Sequence, residues 1–118
     1  DRTYPTARRA LDARDEELVE DFRRQLDRGL AADVLTSVAE AAVQGRVRRL
    51  LVADGKPLFG RVDRTTGEVI LHAGQSGPQD DDVLDDLAEL VLGRGGEVLV
   101  LDPGRMPGSV AAAATFRW

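Results

Sequence analysis

Apolar residues recur at helical spacing in three stretches of the chain. In the first stretch, four of them fall on one helical face: Leu18, Val19, Phe22 and Leu26. Asp12 lies where an N-cap belongs, and Gly29 lies where a C′ glycine ends a helix. The pattern therefore predicts a first helix that starts at Asp12 and stops before Gly29.

The same spacing predicts two further helices. One has its apolar face at Val34, Leu35, Val38 and Ala42 and stops at Gly45. The other lies near 81–92, with its buried stripe at Val83, Leu84, Leu87, Ala88 and Val91. The acidic run Asp80 to Asp82 opens this third helix, because the helix dipole favours carboxylates in a first turn.

Strand patterns fill the remaining segments. Residues 47–53 and 98–101 contain continuous apolar runs, which are typical of strands covered on both faces. Residues 58–62 and 68–72 form a predicted hairpin, and 111–118 is predicted as a closing strand. If the strands from Val47 and Val98 are parallel, the helix near 81–92 belongs to a right-handed crossover between them. The predicted fold class is α/β, with helices on both faces of a mixed sheet.

The length of 118 residues fits one domain with one substantial core. Residues 1–11 show no periodicity and are predicted to be an arm or linker, whereas residues 12–118 form the domain. No run approaches the roughly 20 apolar residues of a membrane helix, and the charged start does not look like a signal peptide. We therefore predict a cytoplasmic protein without a membrane partner. Because the chain begins at Asp1, we expect it to be part of a longer protein.

Charge and composition narrow the function classes. The formal net charge is −5, which disfavours non-specific binding to nucleic acid, although a local basic face could still exist. The chain has no cysteine, which excludes disulfides, thiol catalysis and cysteine-ligated metals.

No catalytic constellation emerges from the remaining residues. His72 is the only histidine and lacks the partners that a catalytic or metal site needs. The carboxylates Asp80, Asp81, Asp82, Asp85 and Asp86 lack the spacing of a calcium loop, so helix capping is the preferred interpretation. The glycine-rich segments at 93–96 and 104–108 do not match a phosphate loop, and no serine lies in a nucleophile elbow. We predict no catalytic residue, no metal site and no cofactor.

Two segments are predicted to contact partners. The loop from Asp102 to Ser109 is stiffened by two prolines and is expected to expose Arg105, Met106 and Pro107 to a protein partner, although turn formation alone would explain its prolines and glycines. Arg46, Arg48 and Arg49 form a basic run that could contact RNA or an acidic partner. A solvated edge paired with nearby carboxylates is the simpler interpretation of that run.

Two sequence segments resemble a known family. VLTSVAEAAVQGRVRRLLVA, from Val34 to Ala53, resembles the third domain of archaeal and eukaryotic peptide-chain release factors and of Pelota. GGEVLVLDPGRMPGSVAAAATFRW, from Gly95 to Trp118, resembles the end of bacterial proteins related to those factors. The resemblance spans about residues 15–118.

The resemblance implies an L7Ae/L30e-like fold, a three-layer α/β/α sandwich, in agreement with the element order. In that family the domain is C-terminal and non-catalytic and makes protein contacts in translation or ribosome rescue. The implied partner is a protein, a translation factor or the ribosome. L7Ae relatives bind kinked RNA through a Gly-x-Asn-Glu motif, and the matching stretch here, Gly29 to Asp33, carries Ala31 in place of the asparagine. An RNA-binding module of the L7Ae type with an altered motif is therefore the disfavoured alternative.

Overall fold

The computed structural model describes residues 8–9, 12–55, 57–71 and 81–118. Its elements in chain order are β1 (Arg8–Arg9), α1 (Asp12–Asp27), β2 (Ala31–Ala32), α2 (Leu35–Val43), β3 (Val47–Ala53), β4 (Phe59–Val62), β5 (Val69–Leu71), β6 (Asp81–Asp82), α3 (Val83–Gly93), β7 (Glu97–Leu101) and β8 (Ala112–Phe116). Two short 3-10 turns, Pro103–Arg105 and Pro107–Ser109, lie between β7 and β8.

The central sheet is mixed and has the strand order β1-β7-β3-β8-β2. β3 pairs in parallel with β7, placing Leu50 opposite Val98, and in antiparallel fashion with β8, placing Leu50 opposite Ala114. The predicted parallel pair is therefore confirmed, and α3 lies in the connection between its strands. β1 extends the sheet by pairing with β7, so two residues of the predicted arm take part in the sheet.

Alternation along the strands divides the core between the two faces of the sheet. Leu50 and Val52 of β3 belong to the cluster formed with α2 and α3. Leu51 and Ala53, one residue out of phase, belong to the cluster formed with α1. Successive side chains of a strand point to opposite faces, so a continuous apolar run serves two layers at once. The predicted α/β/α sandwich is confirmed, with α1 on one face and α2 and α3 on the other.

The helices differ from their predicted apolar faces at two positions. Leu18, Val19 and Phe22 of α1 are buried as predicted, but Leu26 is 40% exposed. Val34 is 57% exposed because α2 begins at Leu35 and Val34 precedes it in extended conformation. The buried face of α2 consists instead of Val38, Ala39, Ala41 and Ala42.

A second, three-stranded sheet with the order β5-β4-β6 contains the predicted hairpin. β4 and β5 pair in antiparallel fashion around a turn in which Oδ1 of Asp63 accepts hydrogen bonds from the backbone N–H groups of Thr65 and Thr66. These bonds favour the charged carboxylate and lower the pKa of Asp63. Gly67 in this turn has a φ of 82°, and a Cβ there would lie 2.7 Å from the Cα of Glu40. The turn therefore packs directly against α2.

The strand directions give the central sheet two ends. β3 and β7 finish, and β8 begins, beside the two 3-10 turns; we call this the loop end. At the opposite end β3 and β7 begin, β8 finishes, and α2 and α3 have just ended; we call this the arginine end because Arg46, Arg94 and Arg117 lie there. Among the described helices, none is both long enough and apolar enough to cross a membrane.

Candidate docking site

The loop end is built on the segment that joins β7 to β8. Each of its 3-10 turns has proline at its start, where a missing N–H costs no hydrogen bond. The N–H of Arg105 donates to the carbonyl of Asp102 at 2.8 Å, and Gly108 adopts a φ of 64° within the second turn. The loop is also tied to its neighbours, because the N–H of Asp54 donates to Leu101 at 2.8 Å and that of Ala53 to Ala111 at 2.9 Å. These bonds give the segment a fixed backbone.

The expectation that Met106 is exposed is wrong. Met106 is only 5% exposed and packs in the α1-side cluster with Phe22 and Leu101. Pro107 is buried as well, and Arg105 is half-buried. The physical reason is that the loop folds back under α1, so that its one long apolar side chain fills the edge of the core. Met106 and Pro107 therefore anchor the loop. Their contact with a partner stays a prediction, and their burial argues against it.

Gly104 is one of the exposed residues of this loop, with Asp102 and Gly108. A Cβ built on Gly104 meets no heavy atom within 4 Å, so the backbone is open to contact. Two grooves meet at this glycine. One, of about 290 Å³, runs along α1 and is lined by Glu16, Val19, Glu20, Arg23, Gly104 and Arg105.

The second groove is larger and more apolar. It has a volume of about 520 Å³ and is lined by Ala53, Pro57, Leu58, Pro103, Gly104, Val110 and Ala111. Pro57, Leu58 and Val110 were not predicted from the sequence as site residues. Pro57 and Leu58 follow the turn after β3, and Val110 precedes β8, so the antiparallel pairing of β3 with β8 brings them together.

The three arginines of the predicted basic run have different neighbours: Arg48 and Arg49 pair with carboxylates, and Arg46 does not pair with an acidic side chain among the described residues. The Arg49 guanidinium bonds to Glu97 at 2.7 Å and to Asp21 at 3.3 Å, and Arg48 lies 3.4 Å from Asp21. A register shift between Val47 and Arg49 in the β3–β8 pairing marks this part of β3 as irregular, and both guanidiniums reach Asp21. Their pairing with carboxylates agrees with the simpler interpretation of the run. Their contact with RNA stays a prediction.

Arg46 of the same run contacts a different part of the chain. Its guanidinium lies 4.9 Å from the centre of the Phe116 ring and donates to the carbonyl of Trp118 at 2.9 Å. A cation over an aromatic face is favourable at this distance. Arg46 is thus held against the end of β8 rather than beside Arg48 and Arg49.

The acidic cluster is partly accounted for by capping. Asp82 is 5% exposed, and its Oδ1 accepts from the N–H groups of Leu84 and Leu58, both at 3.0 Å. It therefore caps α3 and fixes the start of β4. Asp86 lies 3.4 Å from Arg64. Asp80, His72 and Ser76, and the side chains of Asp81 and Ser109, lie outside what the structure describes, as does Lys56.

The described residues contain no group of three or more side chains that could hold a metal ion. Ser37 is exposed on α2. The glycine-rich segment 93–96 closes α3 and leads into β7, and a Cβ on Gly96 would lie 2.7 Å from the carbonyl oxygen of Val47. This glycine therefore allows close packing of backbone on backbone. Ala31 lies in β2, opposite Thr115 of β8.

Comparison with solved structures finds the same architecture in translation proteins. The C-terminal domain of the peptide chain release factor from Methanosarcina mazei matches with a TM-score of 0.63 and 17% identity, over 88% of this chain and 81% of that one. Pelota from Archaeoglobus fulgidus matches with a TM-score of 0.61 and 21% identity, over 90% of this chain.

The chain has the fold of a release-factor C-terminal domain. The resemblance to Pelota and release factors expected from the sequence is thereby confirmed at the level of fold. A model of ribosome-bound archaeal Pelota and ABCE1 also matches, with a TM-score of 0.53 and 25% identity over 87% of this chain. The chain spans about 30% of the Archaeoglobus Pelota and 24% of the protein in the ribosome-bound complex. No protein-family model matches the chain, and comparison with curated proteins finds no match either.

Proposed function

We propose that this chain is a non-catalytic docking domain of a release-factor-like protein that acts in translation or ribosome rescue, and that it binds its protein partner at the loop end. The observation that carries the proposal is the anchored loop with a groove on each side of Gly104. Binding sites built on a fixed backbone lose little entropy when a partner docks. The likeness to archaeal Pelota, described in its ribosome-bound form together with ABCE1, supports a partner of the same kind here.

The composition of the grooves supports a protein partner. The larger groove is lined by proline, leucine, valine and alanine, which suits an apolar side chain. The smaller groove offers Glu16, Glu20, Arg23 and Arg105, which suit polar contacts at the rim of such a patch. An apolar groove beside a polar one offers the two kinds of contact that protein interfaces combine. In the same proposal the domain supplies binding while any hydrolysis belongs to another part of the parent protein.

The proposal is tested with the full-length parent protein carrying Gly104→Tyr. Because a Cβ at this position meets nothing within 4 Å, the tyrosine leaves the fold intact and obstructs both grooves. The measurement is co-sedimentation with ribosomes and binding to purified ABCE1. We expect the wild type to bind at least one of them. The variant should bind that partner with an affinity lower by about tenfold or more, as for an obstructed hot spot.

The matched control is Thr65→Tyr, which adds the same ring at an exposed position on the β4–β5 turn. The control should bind like the wild type. If the wild type binds neither ribosomes nor ABCE1, or if the two variants bind equally well, the proposal is wrong.

A further inference from the structure

We infer that the arginine end of the sheet is an RNA contact, in which Arg94 and Arg117 hold phosphates and Trp118, held by Arg46, stacks on an unpaired base. The inference does not depend on the proposed docking at the loop end. It rests on how the arginines of this acidic chain are distributed and on what surrounds them.

Several described arginines are paired with carboxylates. Arg23, Arg24, Arg48, Arg49 and Arg64 each lie within 3.5 Å of an aspartate or glutamate oxygen. Among the described side chains, four arginines form no such ion pair: Arg28, Arg46, Arg94 and Arg117. Three of these four belong to the arginine end, where Arg46 donates to the oxygen of Trp118 and the exposed Arg94 and Arg117 supply the positive charge.

Direct contacts join the three arginines into one cluster. The Arg117 guanidinium donates to the carbonyl of Arg94 at 3.0 Å, and the backbone N–H of Arg117 donates to the carbonyl of Arg46 at 2.6 Å. Arg94 and Arg117 are exposed. Glu97 at the start of β7 is engaged by Arg49 at 2.7 Å. Arg94 and Arg117 are therefore exposed neighbours, whereas Arg46 is half-buried against Phe116 and Trp118. Like charges repel each other unless an anion joins them.

The ends of α2 and α3 account for only part of this charge. A helix C-terminus carries a partial negative charge that attracts cations, and Arg94 is the C-cap residue of α3. The partial charges of two helix ends are smaller than the two full charges of Arg94 and Arg117. The remaining positive potential makes the cluster a binding surface for an external anion such as phosphate.

The exposed ring of Trp118 favours RNA over other anions as the ligand. It is 60% exposed, the largest exposure among the large hydrophobic side chains in the described part of the chain, and its carbonyl is held by Arg46 at 2.9 Å. An exposed indole beside guanidiniums matches the platforms on which unpaired bases stack while arginines follow the backbone. An acidic peptide would use the charges and leave the ring without a partner. The formal net charge of −5 describes the whole chain, and some of its acidic side chains, such as Glu16 and Glu20, lie along the smaller groove of the loop end.

The test uses the 118-residue chain and a ten-nucleotide oligouridylate. Trp118 is the only tryptophan, so its fluorescence reports on the site without a label. We expect saturable quenching. In the doubly substituted chain Arg94→Gln/Arg117→Gln, the negative slope of log K against log salt should become shallower by about 1.4, since each phosphate contact on a single strand contributes about 0.7. If the two chains bind equally at 1 M salt, the substituted chain should bind about 25-fold more weakly than the wild type at 0.1 M salt.

The control, Arg23→Gln/Arg64→Gln, removes the same charge from exposed arginines outside the arginine end and should leave the slope unchanged. Trp118→Leu, measured by anisotropy of a labelled oligouridylate, should weaken binding by at least fivefold or so, the lower range for one stacked base. Equal salt slopes for the two double substitutions would overturn the inference. The inference would also be overturned if decaglutamate quenched the Trp118 fluorescence and competed for the site as well as the oligouridylate does, because the surface would then be a general anion site.

Discussion

The two ends of the central sheet are fixed by different interactions, although the same strands form both. At the loop end, the connection from β7 to β8 is tied down by the buried Met106 and by backbone bonds from Ala53 and Asp54. At the arginine end, chain segments are joined by guanidiniums that donate to backbone carbonyls, and Trp118 lies in solvent. Apolar burial stabilises strongly and without regard to direction, whereas exposed charged contacts contribute little. The loop end therefore presents a rigid shape, and the arginine end presents charge.

The largest effect is expected at the anchor of the loop end. Met106→Ala should lower the free energy of unfolding by about 3 kcal/mol, within the range for emptying a buried site. Met106→Leu should cost less than about 1.5 kcal/mol because the volume is kept. Trp118→Ala at the other end should change stability by no more than about 0.5 kcal/mol. Urea denaturation measures all three, and equal losses for Met106→Ala and Trp118→Ala would show that the ends do not differ in this way.

One glycine from each end provides the next comparison. A Cβ on Gly96 would lie 2.6 Å from Cγ1 of Val91 and 2.7 Å from the backbone oxygen of Val47, whereas a Cβ on Gly104 meets nothing within 4 Å. Gly96→Ala should therefore destabilise by about 2 kcal/mol, as overpacking does. Gly104→Ala should be neutral within about 0.5 kcal/mol. The comparison fails if thermal denaturation gives both variants the same midpoint.

Asp82 joins the start of α3 to the segment that leads into β4 of the second sheet. Asp82→Ala leaves the N–H groups of Leu58 and Leu84 without their acceptor and should cost about 1.5 kcal/mol. Hydrogen exchange at these two amides should also accelerate more than at amides of β3. Asp82→Asn keeps an acceptor oxygen and should recover part of the loss. An alanine variant as stable as the wild type would mean that the cap contributes nothing.

The smallest expected effect concerns a buried hydroxyl near the arginine end. Thr115 is 2% exposed, and its Oγ1 has no hydrogen-bond partner among the described residues. Thr115→Val removes this unpaired group and keeps the shape, so stability should rise by about 1 kcal/mol. Thr115→Ser keeps the hydroxyl and loses a methyl group, and should therefore be less stable than the wild type. A destabilised valine variant would show that the hydroxyl has a role in the fold.

Much of the fold followed from the pattern of apolar positions. The runs Leu50–Val52 and Val98–Leu101 predicted strands covered on both faces, and they became the parallel centre of the sheet. The prediction failed where an element begins or ends, at Val34 and Leu26, because periodicity does not show where a helix extends past its neighbours. The sequence also indicated the loop at 102–109 but placed Met106 on its outside, since proline and glycine indicate a turn without showing which side faces the core.

By itself the sequence determined the layers and their order, because the apolar period decides which faces are buried, and the absence of cysteine and of partners for His72 limited the chemistry. Only the tertiary structure decided the surfaces. Pro57, Leu58 and Val110 share a groove, and Arg46, Arg94 and Arg117 share a cluster, because strands far apart in the chain pair in one sheet. Burial follows from local patterns, but the neighbours of an exposed side chain are set by strand pairing across long separations, which no local pattern specifies.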